Sequence, residues 1–388
     1  MPATSLPVPV DIARAHSEKL QALIAGRIGN GSISFADFMH HALYEPGLGY
    51  YMAGAQKFGE TGDFVTAPEI SPLFGQCIAQ SCRSLFKELS ATVLELGAGS
   101  GKLASSILIA LSDVTKLEYL ILEPSAELQL RQQRHLCAAL THDQYAAVTW
   151  LTALPESFEG VVIANEVMDA LPVDRIRVGE VVQQARVSWQ NSQFTEHFVS
   201  APGQLQSDWA RIQQGLGDPL PHGYHTEMPQ LLGPWLSSLA DSIKTGALLL
   251  IDYGYPRREY YAAERVNGTL ACYHQHRMHD DAFWWPGLQD ITAHVDFTRV
   301  IEEGTSNGLE LLGYTSQSSF LLDNGLMDHL QMANDACQTE VDKLRLSQAV
   351  KKLTLPGEMG ERFQVMAMGK GLDKEPTGFS LQELSRRL

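Results

Sequence analysis

Apolar residues in the central part of the chain form short runs of strand length, and helical patterns separate these runs. The predicted strands are 92–96, 117–122, 148–151, 160–164, 247–252, 309–314 and 363–368. A helical pattern follows the first strand as far as residue 111, and others fill 125–140, 229–243 and 324–353. Strands that alternate with helices indicate an α/β fold with a doubly wound, mostly parallel sheet.

Two regions depart from this alternation. Residues 1–90 combine helical patterns with stretches that are dense in Gly and Pro, which is typical of ordered loops. Such loops often cover a ligand, although a plain connector fits the same pattern. Residues 173–228 contain two antiparallel strand patterns and then a helix and loop, which predicts an insertion between the fourth and fifth strands. The predicted domains are therefore an N-terminal region 1–90, a domain from 91–172 and 229–370, the insertion 173–228 and a tail 371–388.

The charge of the chain restricts its partners. It has 388 residues, with 29 Lys and Arg against 45 Asp and Glu, and a formal net charge of −16. Nucleic-acid binders normally present a basic surface, so we expect no nucleic-acid partner. An acidic field favours cationic partners such as arginine-bearing protein segments, although solubility alone explains many acidic proteins. No run approaches the roughly 18 apolar residues of a membrane span, so we expect no membrane association.

The cysteines indicate a reducing compartment. There are five of them, an odd number, and no C-x-x-C pair occurs. This pattern disfavours both a disulfide framework and a zinc–thiolate site. Because the first thirty residues also lack the apolar core of a secretory signal, we expect a cytoplasmic protein. His274, His276 and His279 lie close to Cys272 and resemble a metal cluster, but no distant ligand group matches them and we expect no metal.

A glycine-rich turn after the first predicted strand is the most informative motif. Residues 95–101 read ELGAGSG, and such glycines let the chain turn sharply and approach a ligand closely. The dinucleotide fingerprint G-x-G-x-x-G would place its third glycine at position 102, which is Lys102. The pattern E-x-G-x-G-x-G is instead typical of class I S-adenosylmethionine (AdoMet) methyltransferases. Dinucleotide binding and a purely structural turn remain alternatives, and no P-loop pattern occurs.

An acidic residue follows the second predicted strand. Glu123 lies 22 positions after Gly101, where a carboxylate can accept hydrogen bonds from both ribose hydroxyls of an adenosine. Enzymes that bind NAD use the same device, so this residue indicates a nucleoside rather than AdoMet in particular. A solvent-exposed glutamate at a strand end is the structural alternative.

Two further acids follow the fourth predicted strand. Glu166 and Asp169 are three residues apart, so a helical turn would place them on one face. Two carboxylates there can bind a guanidinium group in a bidentate manner. A helix cap with a solvated Asp169 is the alternative. Asp252, at the end of the fifth strand, and His294 could also line a cationic pocket, although a lone histidine is more often structural.

Six sequence blocks occur together in an order that resembles a known family. They are 62–71 (GDFVTAPEIS), 95–101 (ELGAGSG), 165–172 (NEVMDALP), 252–254 (DYG), 290–297 (DITAHVDF) and 355–360 (LPGEMG). This set is similar to the MidA-like class I methyltransferases over about residues 33–370. That family includes the mitochondrial arginine methyltransferase that assists assembly of respiratory NADH dehydrogenase.

The resemblance implies a seven-stranded AdoMet-binding sheet with an inserted region, and symmetric dimethylation of a protein arginine in eukaryotic members. Ala98 and Ser100 stand where the family often has proline and arginine, a change with no evident cost to binding. The residues expected to bind AdoMet are Asp63, Thr66, Glu69, Glu95, Gly97, Ala98, Gly99, Gly101, Glu123 and Asn165. The residues expected to be catalytic are Glu166, Asp169, Asp252 and His294. A small-molecule methyltransferase and an AdoMet-binding assembly factor without turnover are the alternatives, and the oligomeric state is left open.

Overall fold

The computed structural model describes residues 6–53 and 65–388, which divide into two units. The first unit combines 6–53, 169–232 and 257–294, and the second combines 65–168, 233–256 and 295–388. This division differs from the predicted one, because the N-terminal helices, the insertion and residues 257–294 lie in one unit. Residues 65–90, which were predicted to belong to the N-terminal region, lie in the second unit.

The helices, in chain order, are α1 (Asp11–Ile28), α2 (Phe35–Tyr44), α3 (Ala67–Ile70), α4 (Pro72–Leu85), α5 (Lys102–Ala110), α6 (Ala126–Ala139), α7 (His142–Ala146), α8 (Gly203–Leu216), α9 (Leu232–Ser242), α10 (Arg257–Tyr260), α11 (Phe297–Ser306), α12 (Gln317–Asp323), α13 (Leu326–Ala336) and α14 (Glu340–Thr354). A 3₁₀ turn, Ser385–Arg387, follows near the C-terminus.

The strands are β1 (Ile33–Ser34), β2 (Thr92–Leu96), β3 (Glu118–Leu122), β4 (Val148–Leu151), β5 (Phe158–Asn165), β6 (Asp174–Arg177), β7 (Gln183–Gln190), β8 (Gln193–Ser200), β9 (His225–Met228), β10 (Ile243–Tyr255), β11 (Ala271–His274), β12 (Arg277–His279), β13 (Asp290–Thr292), β14 (Val295–Asp296), β15 (Glu310–Ser316) and β16 (Phe363–Lys370).

The second unit is built on an eight-stranded sheet with the order β15-β16-β10-β5-β2-β3-β4, and β14 pairs with β10 outside this path. The pairs from β10 to β4 are parallel, whereas β16 runs antiparallel to both β10 and β15. The chain passes from β2 to β3 and β4 on one side and then returns to β5 on the other. The strand order therefore reverses at β2, and ligands bind at such reversals, beyond the carboxyl ends of the strands.

The central strands are buried on both faces, as expected for a parallel sheet covered by helices. Every residue of β2 is buried, and the core of this unit joins strand residues such as Val93, Ile163 and Val365 to Phe74 and Ile107 on α4 and α5. Because the core fixes the strands and the helices that follow them, the short turns between them are held in place.

The first unit contains a five-stranded antiparallel sheet with the order β1-β7-β6-β9, to which β8 pairs through β7, and a three-stranded sheet with the order β12-β11-β13. Its core includes a cluster of aromatic rings around Phe38, which lies 5.2 Å from Phe194 and 5.0 Å from Phe283 between ring centroids. Helix α2 begins at a capping box in which the side chains of Ser34 and Asp37 accept hydrogen bonds from each other's backbone N–H groups.

The prediction of an α/β fold with alternating strands and helices is confirmed in the second unit. The observed β2 has the predicted bounds, and β5 and β10 extend the predicted strands at both ends. Strands β8, β9, β11 and β12 were not predicted. Along the described part of the chain, no helix has both the length and the apolar character required to cross a membrane.

Candidate active site

The carboxyl ends of four neighbouring strands bring most of the predicted site residues of the second unit together. The glycine turn follows β2, Glu123 follows β3, Glu166 follows β5, and Asp252 lies near the end of β10. The register supports this placement, because Leu96 on β2 is opposite both Leu122 on β3 and Ala164 on β5. The site therefore lies at the edge of the sheet where the strand order reverses.

The backbone of the glycine turn requires glycine for a conformational reason. Gly97, Gly99 and Gly101 have φ angles of 65°, 53° and 84°, in the left-handed region that other residues rarely adopt. The N–H of Gly97 donates to the carbonyl of Leu122 on the neighbouring strand at 3.0 Å. Gly101 is the N-cap of α5, and Ala98 between the glycines is buried. The turn is thus fixed to β3 at one end and to a helix at the other.

A buried amide links the glycine turn to Glu123. The Nε2 of Gln132, on α6, donates to Glu123 Oε2 at 3.0 Å and to the carbonyl of Gly99 at 3.1 Å. Its Oε1 accepts a hydrogen bond from Trp150 Nε1, also at 3.0 Å. The other oxygen of Glu123 accepts from the backbone N–H of Ser125 at 3.0 Å. Both side chains are almost fully buried, so Glu123 is a fixed carboxylate and not a solvated strand end.

Glu95, the first residue of the motif, is directed into the core rather than toward solvent. It is 3% exposed, and Tyr119 Oη on β3 donates to its Oε2 at 2.8 Å. Burial raises the pKa of Glu95 to about 7, and the nearby charge of Glu123 adds to the rise, while the Tyr119 hydrogen bond opposes it. The pKa of Glu95 is therefore set by its burial and by the two neighbouring side chains.

Helix α3 lies against the glycine turn through Glu69. The Glu69 carboxylate accepts hydrogen bonds from Ser100 Oγ and from Lys102 Nζ. Lys102 is the first residue of α5. The Glu69 side chain is 5% exposed and that of Lys102 is 44% exposed. Thr66 is the N-cap of α3, and its side chain makes no capping hydrogen bond.

The turn after β5 holds Glu166 in an unusual backbone conformation. Its φ angle is 53°, which is uncommon for a residue with a side chain and marks positions where surrounding structure imposes the conformation. The Glu166 Oε1 accepts from the backbone N–H of Ala67 at 3.4 Å and from Asn165 Nδ2 at 3.2 Å. A Cβ placed on Gly97 would lie 3.6 Å from Val167 Cγ2, so this turn also approaches the glycine turn.

Asp252 has both carboxylate oxygens engaged with the backbone. Its Oδ2 accepts from the N–H of Met168 at 3.0 Å, and its Oδ1 accepts from the N–H of Tyr253 at 2.9 Å. The residue is fully buried. The observed contacts fit a residue that holds the turn after β5 in position, which differs from the catalytic role expected from the sequence.

Asp169 and His294 lie in the first unit rather than with Glu166 and Asp252. Asp169 is buried and its carbonyl accepts from the N–H of Ala293 at 3.0 Å. The backbone N–H of His294 donates to Thr269 Oγ1 at 3.1 Å. Residues 166–170 form a bend and turn without a helix, so the helical turn that would place Glu166 and Asp169 on one face does not occur. Asp63 lies outside the described residues.

The histidine cluster near Cys272 is a hairpin. His274 ends β11 and His279 ends β12, while Gln275 and His276 form the turn with φ angles of 46° and 60°. His274 and His276 are therefore not on one strand. His274 Nδ1 is 2.7 Å from the carbonyl of Leu288. In residues 6–53 and 65–388, no group of three His, Cys, Asp or Glu side chains is arranged to hold a metal ion.

Three residues of this region were not found by sequence reasoning as part of the site. Gln132 and Tyr119 are ordinary positions of an amphipathic helix and an apolar strand, and the sequence carries no signal that either contacts a motif acid. The sequence does mark Lys102, because this residue occupies the position where a dinucleotide fingerprint has its third glycine.

Comparison with known families identifies the chain. Residues 74–315 match the family model described as S-adenosyl-L-methionine-dependent methyltransferase, which covers more than half of the sequence. The chain belongs to this family. The resemblance to MidA-like class I methyltransferases is thereby confirmed, and AdoMet is the cofactor of the family.

A solved structure supports the same assignment and the fold. It is a superfamily member from Burkholderia thailandensis, assigned as a methyl transferase and bound to S-adenosyl-homocysteine. It is 40% identical to this chain, covers 99% of this chain and 100% of its own length, and has a TM-score of 0.91. The α/β methyltransferase fold predicted from the sequence is confirmed by this similarity.

Curated relatives of this methyltransferase carry more specific names. The mitochondrial protein arginine methyltransferase NDUFAF7 of Danio rerio is 29% identical, over 90% of this chain and 86% of the relative. The Drosophila melanogaster homologue is 28% identical, over 94% and 89%. Both are mitochondrial, which contradicts the expectation of a cytoplasmic protein. The cysteine pattern indicates only a reducing compartment, and such a compartment need not be the cytoplasm.

Proposed function

We propose that this methyltransferase transfers the methyl group of AdoMet to the guanidinium group of an arginine in a protein. The observation that carries the proposal is the position of Glu166, a carboxylate at the carboxyl end of β5 beside the glycine turn. The names of the curated relatives, which are protein arginine methyltransferases, support the choice of acceptor.

The residues around the glycine turn suit AdoMet. The three glycines at positive φ carry no Cβ, so a ligand can approach their backbone closely, and α5 begins directly after them. Glu123 is held rigidly, and an ionised carboxylate can accept about four hydrogen bonds, which suits the two ribose hydroxyls. We assign Thr66, Glu69, Asn165 and the motif residues to the same cofactor site. We assign the strands from β15 to β4, without β14, to the seven-stranded sheet that the family resemblance implies.

When bound, AdoMet supplies an electrophilic methyl group on a sulfonium sulfur. The acceptor needs help from the protein, because a guanidinium group has a pKa above about 12 and its lone pairs are delocalised. A carboxylate at Glu166 would hold the cation, draw its positive charge toward the nitrogens that do not react, and take up the released proton. Alignment of the nitrogen with the methyl group contributes the rest, as in other displacement reactions.

The other predicted catalytic residues have different roles in this proposal. Asp252 acts by positioning, since its carboxylate fixes the backbone of Met168 in the turn that carries Glu166. Asp169 and His294 stay sequence-based candidates for acceptor binding.

The decisive experiment uses the full chain and AdoMet labelled in its methyl group. A cell extract lacking this enzyme supplies the acceptors, and acid hydrolysis with mass spectrometry then identifies the labelled residue. We expect label in methylated arginine of a protein, and the ratio of monomethyl to symmetric dimethyl product gives the number of methyl groups added. Label confined to a small compound would establish the alternative acceptor class and contradict the proposal. Binding of AdoMet without any transfer would identify an assembly factor instead.

A further inference from the structure

An ion pair between Glu69 and Lys102 lies beside the glycine turn. It adds two charged side chains to the backbone groups of the turn. Glu69, from α3, contacts Lys102 Nζ and Ser100 Oγ. The Glu69 carboxylate is buried, whereas the Lys102 side chain is nearly half exposed. The carboxylate of this pair therefore lies inside the protein, and the side chain that carries the ammonium group is partly open to solvent.

We propose that Glu69 and Lys102 together recognise the amino-acid end of AdoMet, Glu69 binding its α-ammonium group and Lys102 its α-carboxylate. This inference rests on the proposed function, since it concerns the same cofactor site. A zwitterion presents one charge of each sign, and a pair of protein charges of both signs can match it without leaving any charge unpaired.

The positions of the two residues suit these roles. Lys102 is the first residue of α5 and follows Gly101 directly, and the N-terminus of a helix favours a negative group. Ser100 also donates to the Glu69 carboxylate, so this carboxylate keeps a hydrogen bond when Lys102 binds a ligand. A partly exposed ion pair contributes only about 0–1 kcal/mol to stability, so a purely structural role would account for little.

The pair of Glu69 and Lys102 also disfavours the binding of a dinucleotide. A pyrophosphate carries negative charges only, and at this turn it would face the buried carboxylate of Glu69. The side chain of Lys102 also occupies the position that the dinucleotide fingerprint reserves for glycine. The pair therefore selects a zwitterionic ligand over a phosphate-bearing one at a glycine turn that otherwise suits either.

Three probe ligands separate the two charges by calorimetry on the full chain. S-adenosyl-homocysteine carries both the amine and the carboxylate, decarboxylated AdoMet carries only the amine, and 5′-methylthioadenosine carries neither. We expect Lys102→Met to weaken S-adenosyl-homocysteine by about 10- to 100-fold and to leave the other two probes within about twofold. We expect Glu69→Gln, which still accepts from Ser100, to weaken S-adenosyl-homocysteine and decarboxylated AdoMet but not 5′-methylthioadenosine.

Lys374→Met is the matched control, because Lys374 forms a comparable ion pair in the same unit, with Glu88 (2.8 Å), and its side chain is mostly exposed. It should change none of the three affinities. Equal losses for all three probes in the Lys102 and Glu69 variants would show that the pair only stiffens the turn, and unchanged affinities would show that it does not meet the ligand. Either result overturns the inference. Failure of the unmodified protein to bind S-adenosyl-homocysteine would instead contradict the proposed function.

Discussion

Gln132 donates a hydrogen bond to the carboxylate of Glu123, with 3.0 Å between Nε2 and Oε2. The same nitrogen also donates to the carbonyl of Gly99, so one side chain ties the acid after β3 to the middle of the glycine turn. Gln132 is fully buried and is itself held by Trp150. Glu123 belongs to the proposed adenosine site and Gly99 to the proposed methionine site. Gln132, which lies on α6 and belongs to neither motif, therefore positions both.

Replacing this amide should loosen the site. Gln132→Met keeps the length of the side chain but removes both N–H donors and the acceptor for Trp150. We expect the affinity for S-adenosyl-homocysteine to fall by about tenfold, and the free energy of unfolding to fall by about 1–3 kcal/mol, because buried groups lose their partners. Calorimetry and urea unfolding measure the two effects.

Gln129→Met is the control for this variant. Gln129 lies on the same helix and donates to the backbone carbonyl of Glu123, whereas Gln132 donates to its carboxylate. If both variants weakened the ligand equally, the carboxylate–amide contact would have no special role.

Gly99 should tolerate no branched side chain. A Val at a φ of 53° is strained, and its side chain would project where a ligand must approach the backbone. We expect Gly99→Val to abolish AdoMet binding in calorimetry while circular dichroism still reports a folded protein.

Gly308→Val separates strain from ligand contact. Gly308 has a φ of 81°, lies between α11 and β15, and a Cβ there would meet no atom within 4 Å. It should lower stability through the same kind of backbone strain and leave binding intact. A folded Gly99→Val protein with unchanged AdoMet affinity would remove the glycine turn from the cofactor site.

The parts of this fold that the sequence predicts are those whose pattern is local. Strand β2 and residues 160–164 of β5 are buried, and most of their residues are apolar, so each gives a local signal of strand length. Strand β8 was missed because its residues are mostly polar and partly exposed. The sequence does not predict which segments form the first unit, because they are joined by long-range pairing such as that of Ile33 with Val187.

The same distinction holds within the site. Glycines at positive φ and an acid after a strand leave a signature in the sequence, because few other residues meet those requirements. The burial of Gln132 and the left-handed backbone of Glu166 arise from tertiary contacts. No spacing or composition indicates either of them.

Glu95 should make stability depend on pH. Its pKa is about 7 in the folded protein, against 4.5 for an ordinary glutamate, so the folded state binds the proton more tightly than the unfolded state. Its contribution to stability is therefore greatest below pH 4.5, declines as the pH rises toward 7, and is constant above that. Glu95→Gln, which still accepts from Tyr119, carries no charge to bury.

We expect the free energy of unfolding of Glu95→Gln to exceed that of the parent by about 2–3 kcal/mol at pH 8, with little difference at pH 4.5. Urea unfolding at a series of pH values measures this difference. Glu118→Gln, an exposed position at the start of β3, should show no such trend. A Glu95→Gln advantage that stayed constant with pH would mean that the carboxyl does not titrate in this window.

We expect Glu166 to be required for methyl transfer but not for AdoMet binding. Glu166→Gln keeps the size of the side chain and an oxygen that can accept from Ala67 and Asn165, so the turn after β5 should persist. The variant loses the negative charge that a cationic acceptor needs. We expect AdoMet affinity and melting temperature close to those of the parent, and a rate of methyl transfer lower by about 100-fold or more.

Glu159→Gln is the control, since Glu159 is exposed near the start of β5, at the opposite end of the strand from the turn that carries Glu166. It should leave stability, binding and transfer unchanged. If Glu166→Gln lowered all three together, the residue would be structural, held by its contact with α3. If it altered none of them, the acceptor would be gripped elsewhere. Asp169→Asn and His294→Gln would then be the next variants to assay for methyl transfer, because they replace the remaining candidates with neutral side chains that still form hydrogen bonds.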